Sequence, residues 1–364
     1  MTALKERLQQ LIGATGPISV AEYMAQCLLD PQHGYYTTRE PFGAEGDFIT
    51  APEVSQMFGE LVAVWLYTAW KACGAPARPV LAEIGPGRGT LMKDMLRTLT
   101  RLDPAFAGQA RVALMEASGR LAKVQKATLA GAKPQWYERV EDLPEGPFFI
   151  VGNELFDALP IRQFVKTKSG WRERLVGLDE TGELAFFAGA GSLDGTLLPA
   201  DAEAAPDGAI FETAPAREAL IDTIAERLRR QGGAGLFIDY GFERSATGET
   251  LQAVKRHVYD DVLAHPGAAD ITSHVDFDAL ARVARRHGLA CPLMTQGDFL
   301  LGLGLLERAG QLGAGKAADA QEAVRDAVER LAGPDQMGTL FKVLALLPKD
   351  VSVPPFGRDV SPTG

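Results

Sequence analysis

From Pro79 onward the chain alternates short, wholly apolar runs with stretches whose apolar residues recur at helical spacing. The apolar runs are "PVLAEIG", "ARVALMEA", "PFFIVGNELFDALP" and "AGLFIDYG", and the helical stretches between them are "TLMKDMLRTLTRL", "GRLAKVQKATLAG" and "PAREALIDTIAERLRRQGG". Strands that are apolar at every position and separated by helices predict a parallel sheet covered on both faces, which is an α/β fold. A helix at "DFDALARVARRHG", strand-like runs at "CPLMTQ" and "TLFKVLALLP", and a helix near "ADAQEAVRDAVERLAG" complete the alternation.

Two segments break this rhythm. Residues 1–75 read as an N-terminal helical cap, with a first helix to about Ile12 and a second opened by Ser19 and Glu22 at capping-box spacing. After a loop rich in Gly, Pro and aromatics, the apolar-periodic "VSQMFGELVAVWLYTAWKA" closes the cap. Between Ile161 and about Phe211, strand-like runs flank two turn signals, Ser169-Gly170 and Glu180-Thr181-Gly182, which predicts an antiparallel β insertion over the site. The expected organisation is therefore a cap over 1–75, a main domain over 76–350 with its insertion at about 161–211, and a loose Pro-rich tail over 351–364.

Composition narrows the class. At 364 residues and 46% hydrophobic content the chain can bury a large core. A formal charge of −10 repels free nucleic acid, and the linear sequence shows no basic patch to override that, so no nucleic-acid partner is expected. Cys27, Cys73 and Cys291 are scattered and odd in number, which argues against a disulfide framework and fits a reducing compartment. No window of about 18 apolar residues occurs, so no integral membrane segment is expected and the cytoplasm is the expected location. His33, His257, His265 and His287 form no ligand spacing with acids or cysteines, and no metal is expected.

Candidate chemistry begins at "LAEIGPGRGTLMKDML", where a strand meets a helix through Gly85, Gly87 and Gly89. A glycine corner opens the backbone to a ligand, and the helix start offers N–H donors. The G-x-G-x-G spacing misses the dinucleotide pattern G-x-G-x-x-G, so a nicotinamide cofactor is the weakest reading. S-adenosyl-L-methionine has no pyrophosphate to seat, and Glu83 at the strand end is placed to face its ammonium group. Glu116, at the end of the next strand, is placed to accept from the ribose hydroxyls. Against this stands the plainer reading of a tight turn that serves only packing.

"VGNELFDALP" puts Asn153, Glu154 and Asp157 at the C-terminal end of another strand, the edge at which open α/β sheets bind ligands. Glu154 is the candidate acid for holding a cationic acceptor, Asp157 a second acid or orienting partner, and Asn153 a cofactor contact; Asn153 and Asp157 also suit plain capping. In "GDFITAPE", Asp47 and Thr50 are candidates to close over the methionine end of the cofactor, with turn formation as the alternative for Asp47. His274 in "DITSHVDF" and Asp239 in "LFIDYG" are candidate proton acceptors, with a helix N-terminal role for Ser273 and a simply exposed His274 as the alternative.

These motifs carry a resemblance. "ISVAEYMAQCLLDPQHGYYTT", "GDFITAPEVSQMFGE", "EIGPGRGTLMKDML", "GNELFDALPIRQF", "DYG", "DITSHVDF" and "MGTLFKVL" span residues 18–344 and resemble the MidA family, bacterial relatives of the mitochondrial complex I assembly-factor protein-arginine methyltransferase. The resemblance implies a Rossmann-like, seven-stranded α/β sheet that binds S-adenosyl-L-methionine. It implies symmetric ω-N dimethylation of an arginine in the 49-kDa-type core subunit of respiratory complex I during assembly. Tyr35 and Tyr36 resemble the paired aromatics that arginine methyltransferases place over the site, although packing suits them as well. A small-molecule acceptor and a non-catalytic assembly chaperone remain alternatives, and a homodimer is compatible with the sequence.

Overall fold

The computed structural model describes residues 2–38, 50–255 and 258–357. Candidate Asp47 lies outside the described residues. The chain forms two compact units, each built from three separate stretches: Ile49–Leu155, Leu220–Glu243 and Asp276–Gly364 in one, and Met1–Phe48, Phe156–Ala219 and Arg244–Val275 in the other.

The first unit holds the parallel sheet. Its helices and strands begin with α1 (Ala51–Val54), α2 (Gln56–Ala72) and β1 (Val80–Ile84). They continue with α3 (Thr90–Leu102), α4 (Pro104–Gln109), β2 (Arg111–Met115), α5 (Gly119–Thr128), β3 (Gln135–Tyr137) and β4 (Phe148–Asn153). After these come β5 (Gly233–Phe242), β6 (Leu289–Ala290) and β7 (Phe341–Pro348). The strands run in the order β3-β2-β1-β4-β5-β7-β6. The first five are mutually parallel and β7 enters antiparallel between β5 and β6. That is the expected α/β sheet: seven strands lie along its path, as the methyltransferase resemblance implies, and two further short strands pair off it.

Register fixes the functional edge. Ile84 lies opposite both Met115 and Gly152, and Asn153 lies opposite Ile238. The chain therefore leaves β1, β2, β4 and β5 at one C-terminal edge, which carries the glycine corner, Glu116, Glu154 and Asp239. Every residue of β1 and β4 is buried, as wholly apolar strands require when both faces are covered.

The unit boundary falls at 48/49, inside the stretch read as a single cap. Helix α2 belongs with the sheet, where Met57, Phe58, Leu61, Val62, Trp65, Leu66 and Ala69 join the main core. Its apolar residues cover more than one side, and a helix of that composition is stable only when enclosed. The expected loose tail also packs at its start, since Val353 and Phe356 are buried in the same core. Another feature of this unit was invisible in linear order. Arg97, Arg101, Arg111 and Lys133 line a groove of about 880 Å³ floored by small residues such as Ala107 and Ala132. Basic residues are thus gathered where the sequence suggested no patch, although Arg97 is offset by Glu60 and Asp94.

The second unit contains the expected antiparallel insertion, as strands Arg162–Thr167, Gly170–Leu178 and Leu184–Ser192 turning at the two predicted places. Ile18–Ser19 and Ile210–Thr213 extend it to five strands. The helices Ala3–Thr15 and Val20–Leu29 bury Leu4, Leu8, Ile12, Tyr23 and Met24 in its core, and Ser19 with Glu22 forms the predicted capping box. A small sheet of Gln252–Lys255, Val258–Asp260 and Asp270–Thr272 belongs here too, and no sequence pattern announced it. Among the described residues no helix is long and apolar enough to cross a membrane.

Candidate functional site

The corner after β1 has a conformation that explains its glycines. Gly85, Gly87 and Gly89 have φ of 64°, 51° and 81°, in the left-handed region that a Cβ disfavours. A Cβ on Gly85 would also sit 3.1 Å from the Leu155 side chain. Gly89 is the N-cap of α3 and supplies no side-chain cap, so the helix start remains a donor surface.

Glu83 takes a deeper place than expected. It is only 3% exposed, accepts a hydrogen bond from the Met92 backbone N–H, and burial pushes its carboxyl up to about 8. Its Oε2 is buried and has no hydrogen-bond partner. Glu116 is more accessible, although burial raises its carboxyl above the usual range. Its Oε1 accepts from the Ser118 N–H at 2.7 Å and its Oε2 from the Gln125 amide at 2.9 Å. Both oxygens are thereby oriented before any ligand arrives.

At the end of β4 the backbone is strained. Glu154 has φ of 49°, a left-handed conformation that costs a non-glycine residue about 1–3 kcal/mol and persists only when its surroundings hold it. Here they do. The Glu154 N–H donates to the Ile238 carbonyl at 2.8 Å, and the Leu155 N–H donates to Asp239 Oδ2 at 3.1 Å. The Glu154 carboxylate accepts at Oε1 from the Ala51 N–H and from the Asn153 side-chain amide, each at 3.1 Å. Asn153 Oδ1 is buried without a hydrogen-bond partner.

Asp239, considered above as a proton acceptor, is fully buried and spends its two oxygens on the Leu155 and Tyr240 backbone N–H groups. It holds the turn that displays Glu154. Thr50 is the N-cap residue of α1 and makes no side-chain cap, while its carbonyl accepts from Glu53 and Val54. Glu53 escaped the sequence reading: its Oε1 accepts from the Thr90 hydroxyl at 2.6 Å at the start of α3. The Ala51–Glu53 segment therefore touches both the Glu154 carboxylate and the helix behind the glycines. The only hint in sequence was an acid three residues after a Thr that opens a helix.

Asp157 and His274 belong to the other unit. There Arg217, 2% exposed, donates to the backbone carbonyls of Asp157 at 3.2 Å and His274 at 2.7 Å, and also to Ser273. The Ser273 N–H donates to the Asp157 carbonyl at 3.1 Å, so these two candidates share one buried anchor that the sequence reading missed. Tyr35 is fully buried in that unit's core and stacks edge-on against Tyr36, whose hydroxyl donates to Asp270 at 3.1 Å. Packing explains Tyr35.

The sheet-edge residues fit S-adenosyl-L-methionine. Two buried side-chain oxygens without partners, Glu83 Oε2 and Asn153 Oδ1, stand at the ends of adjacent strands; a donor-rich, cationic group would pair Asn153 Oδ1 and favour release of the proton that burial keeps on Glu83. Glu116 offers preoriented acceptors for a diol, and the glycine corner lets the ligand approach the backbone. No pyrophosphate-binding spacing is present.

Known proteins agree. A family model for S-adenosyl-L-methionine-dependent methyltransferases matches residues 61–295. The mitochondrial protein arginine methyltransferase NDUFAF7 homolog of Drosophila melanogaster is 36% identical over 376 residues, covering 95% of this chain and 85% of the relative. Protein arginine methyltransferase NDUFAF7 of Homo sapiens is 34% identical over 376 residues, covering 96% and 84%. A COG1565 superfamily member from Burkholderia thailandensis, solved with S-adenosyl-homocysteine bound, superposes with a TM-score of 0.81 at 31% identity over 95% of this chain and 92% of that one. By sequence, fold and the geometry of its sheet edge, this chain is an enzyme that belongs to the S-adenosyl-L-methionine-dependent methyltransferase family.

Proposed function

We propose that the enzyme is a protein-arginine ω-N-methyltransferase that forms symmetric dimethylarginine on a core subunit of respiratory complex I during assembly. The observation that carries this reading is Glu154, a carboxylate held in a strained backbone at the ligand edge of the sheet. The mitochondrial relatives named as protein arginine methyltransferases support the acceptor class.

Bound at the glycine corner, S-adenosyl-L-methionine supplies an electrophilic methyl group on a sulfonium. The protein's part is to hold the acceptor. Arginine is protonated near neutral pH, so a carboxylate both orients the planar guanidinium and raises the electron density of the nitrogen that must attack. Glu154 does this, and the hydrogen bonds from Ala51 and Asn153 keep its side chain from turning away. Glu116 would hold the ribose, and Glu83 with Asn153 would hold the donor groups of the cofactor. Three free thiols, Cys27, Cys73 and Cys291, accord with a cytoplasmic location.

The test is transfer of labelled methyl from S-adenosyl-L-methionine into extract of cells lacking this protein, with wild-type and Glu154→Gln enzymes in parallel. One dominant labelled protein that depends on Glu154 and is the complex I subunit supports the reading. Label confined to small molecules overturns the acceptor class. Full rescue of complex I assembly by the inactive variant would make the protein a chaperone, and light scattering of the purified chain reads whether two copies associate.

A further inference from the structure

We infer that Gln125 is a positioning residue that sets the selectivity of the cofactor site for an intact ribose, an inference that rests on the reading of Glu116 as the ribose acceptor. Gln125 lies in α5, whose sequence shows only an amphipathic helix, yet its side chain is fully buried. Its Nε2 donates to the Gly87 carbonyl at 2.9 Å and to Glu116 Oε2 at 2.9 Å. Its Oε1 accepts from the Trp136 indole N–H at 2.8 Å.

These contacts allow only one orientation of the amide. An indole N–H is purely a donor, so the atom facing Trp136 must be the oxygen, and the NH₂ group must face Gly87 and Glu116. Both amide hydrogens are then used, one on the corner and one on the acid. One side chain therefore ties the turn that admits the cofactor to the carboxylate that reads its sugar. Lys126, over the Trp136 ring at 5.2 Å, packs the same indole from the next position.

The geometry has a consequence for selectivity. A carboxylate with one oxygen pinned by a backbone N–H and the other by a fixed amide presents its remaining lone pairs in set directions. A site built that way rejects an analogue lacking the matching hydroxyl much more strongly than a mobile carboxylate does. Without Gln125, Glu116 Oε2 loses its fixed side-chain donor, and the carboxylate is left with backbone N–H groups of its own turn, Ser118 and Ala117, and the nearby Arg120 charge, which set its direction less tightly. Affinity then falls, and discrimination falls with it. A packing residue would lower affinity for every ligand alike.

Calorimetric titration of the full-length protein with S-adenosyl-homocysteine and with its 2′-deoxy and 3′-deoxy analogues tests this. Wild type should prefer the intact ribose by roughly 30-fold or more, and Gln125→Leu should reduce that preference to about threefold. Trp136→Phe removes only the donor that orients the amide, and should lose part of the preference even if Gln125→Leu fails to fold. Gln125→Glu sets a carboxylate against the Gly87 carbonyl and Glu116, so its affinity should decline from pH 6 to 8 more steeply than that of wild type. A Gln125→Leu protein that loses affinity equally for all three ligands overturns the inference and leaves the Glu116 reading intact. A wild type that binds all three alike removes the Glu116 reading, and this inference with it.

Discussion

The glycine corner after β1 and the Glu154 turn after β4 stand at the ends of adjacent strands, and both use left-handed backbone. They use it in opposite ways. At the corner, three glycines adopt positive φ without a Cβ penalty, and what the site gains is bare backbone. At the turn a glutamate adopts it, because there the site needs the side chain. The surroundings must then hold it: Ile238 and Asp239 pin the turn's N–H groups, while Ala51 and Asn153 pin the carboxylate. Where chemistry needs a shape, the sequence uses glycine; where it needs a charge in the same shape, it accepts strain.

That contrast can be broken in four ways. The largest effect is expected from Glu154→Gln, which keeps an acceptor for the Ala51 N–H but removes the charge. It should lower kcat by on the order of 10³-fold while leaving S-adenosyl-homocysteine affinity within about threefold, measured by methyl transfer and calorimetry. A comparable loss of cofactor affinity would move Glu154 into the cofactor site.

Next is Gly85→Ala, which adds a Cβ at unfavourable φ and 3.1 Å from Leu155. Cofactor affinity should drop by about 10²-fold, with about 1–2 kcal/mol of stability lost in denaturant unfolding. Retained affinity would show that the corner serves packing alone.

The third concerns Glu83, whose carboxyl is raised from 4.5 to about 8 by burial. Its raised folded-state value makes its contribution to stability full below about 4.5 and lost as pH rises to 8, because the folded protein holds a proton that the unfolded chain has released. Glu83→Gln should flatten the stability profile of the ligand-free protein across that window, by up to about 5 kcal/mol, and weaken cofactor binding. An unchanged slope would place the proton elsewhere.

The smallest effect compares two inactive variants. Glu154→Gly should unfold at higher denaturant than Glu154→Ala by about 1 kcal/mol, since only glycine adopts this φ freely. The reverse order would mean the backbone is not strained.

Much of the sheet unit was legible because its signals are local. Wholly apolar runs predict covered strands, and the G-x-G-x-G run and the acids at strand ends lie within a few residues of the strands that position them. Other parts depend on residues far apart in sequence. Gln125 reads as one polar residue in an amphipathic helix, and nothing in its neighbourhood reveals that Gly87, Glu116 and Trp136 converge on it. Arg217 looks like a surface charge at a helix start, yet it is buried and holds the carbonyls of Asp157 and His274. The place of α2 was illegible for the same reason, since its apolar surface reveals that the helix is enclosed but not what encloses it.

By itself the sequence determined the alternation of the main strands and helices in the sheet unit, the class of sheet, the corner and the acids beside it, since each follows from side-chain periodicity or backbone preference over a few residues. Only the tertiary structure decided which acids are buried, which backbone is strained and which side chains tie distant segments together. Burial and hydrogen bonding are properties of surroundings, and for Glu83, Gln125, Glu154 and Arg217 those surroundings come from elsewhere in the chain.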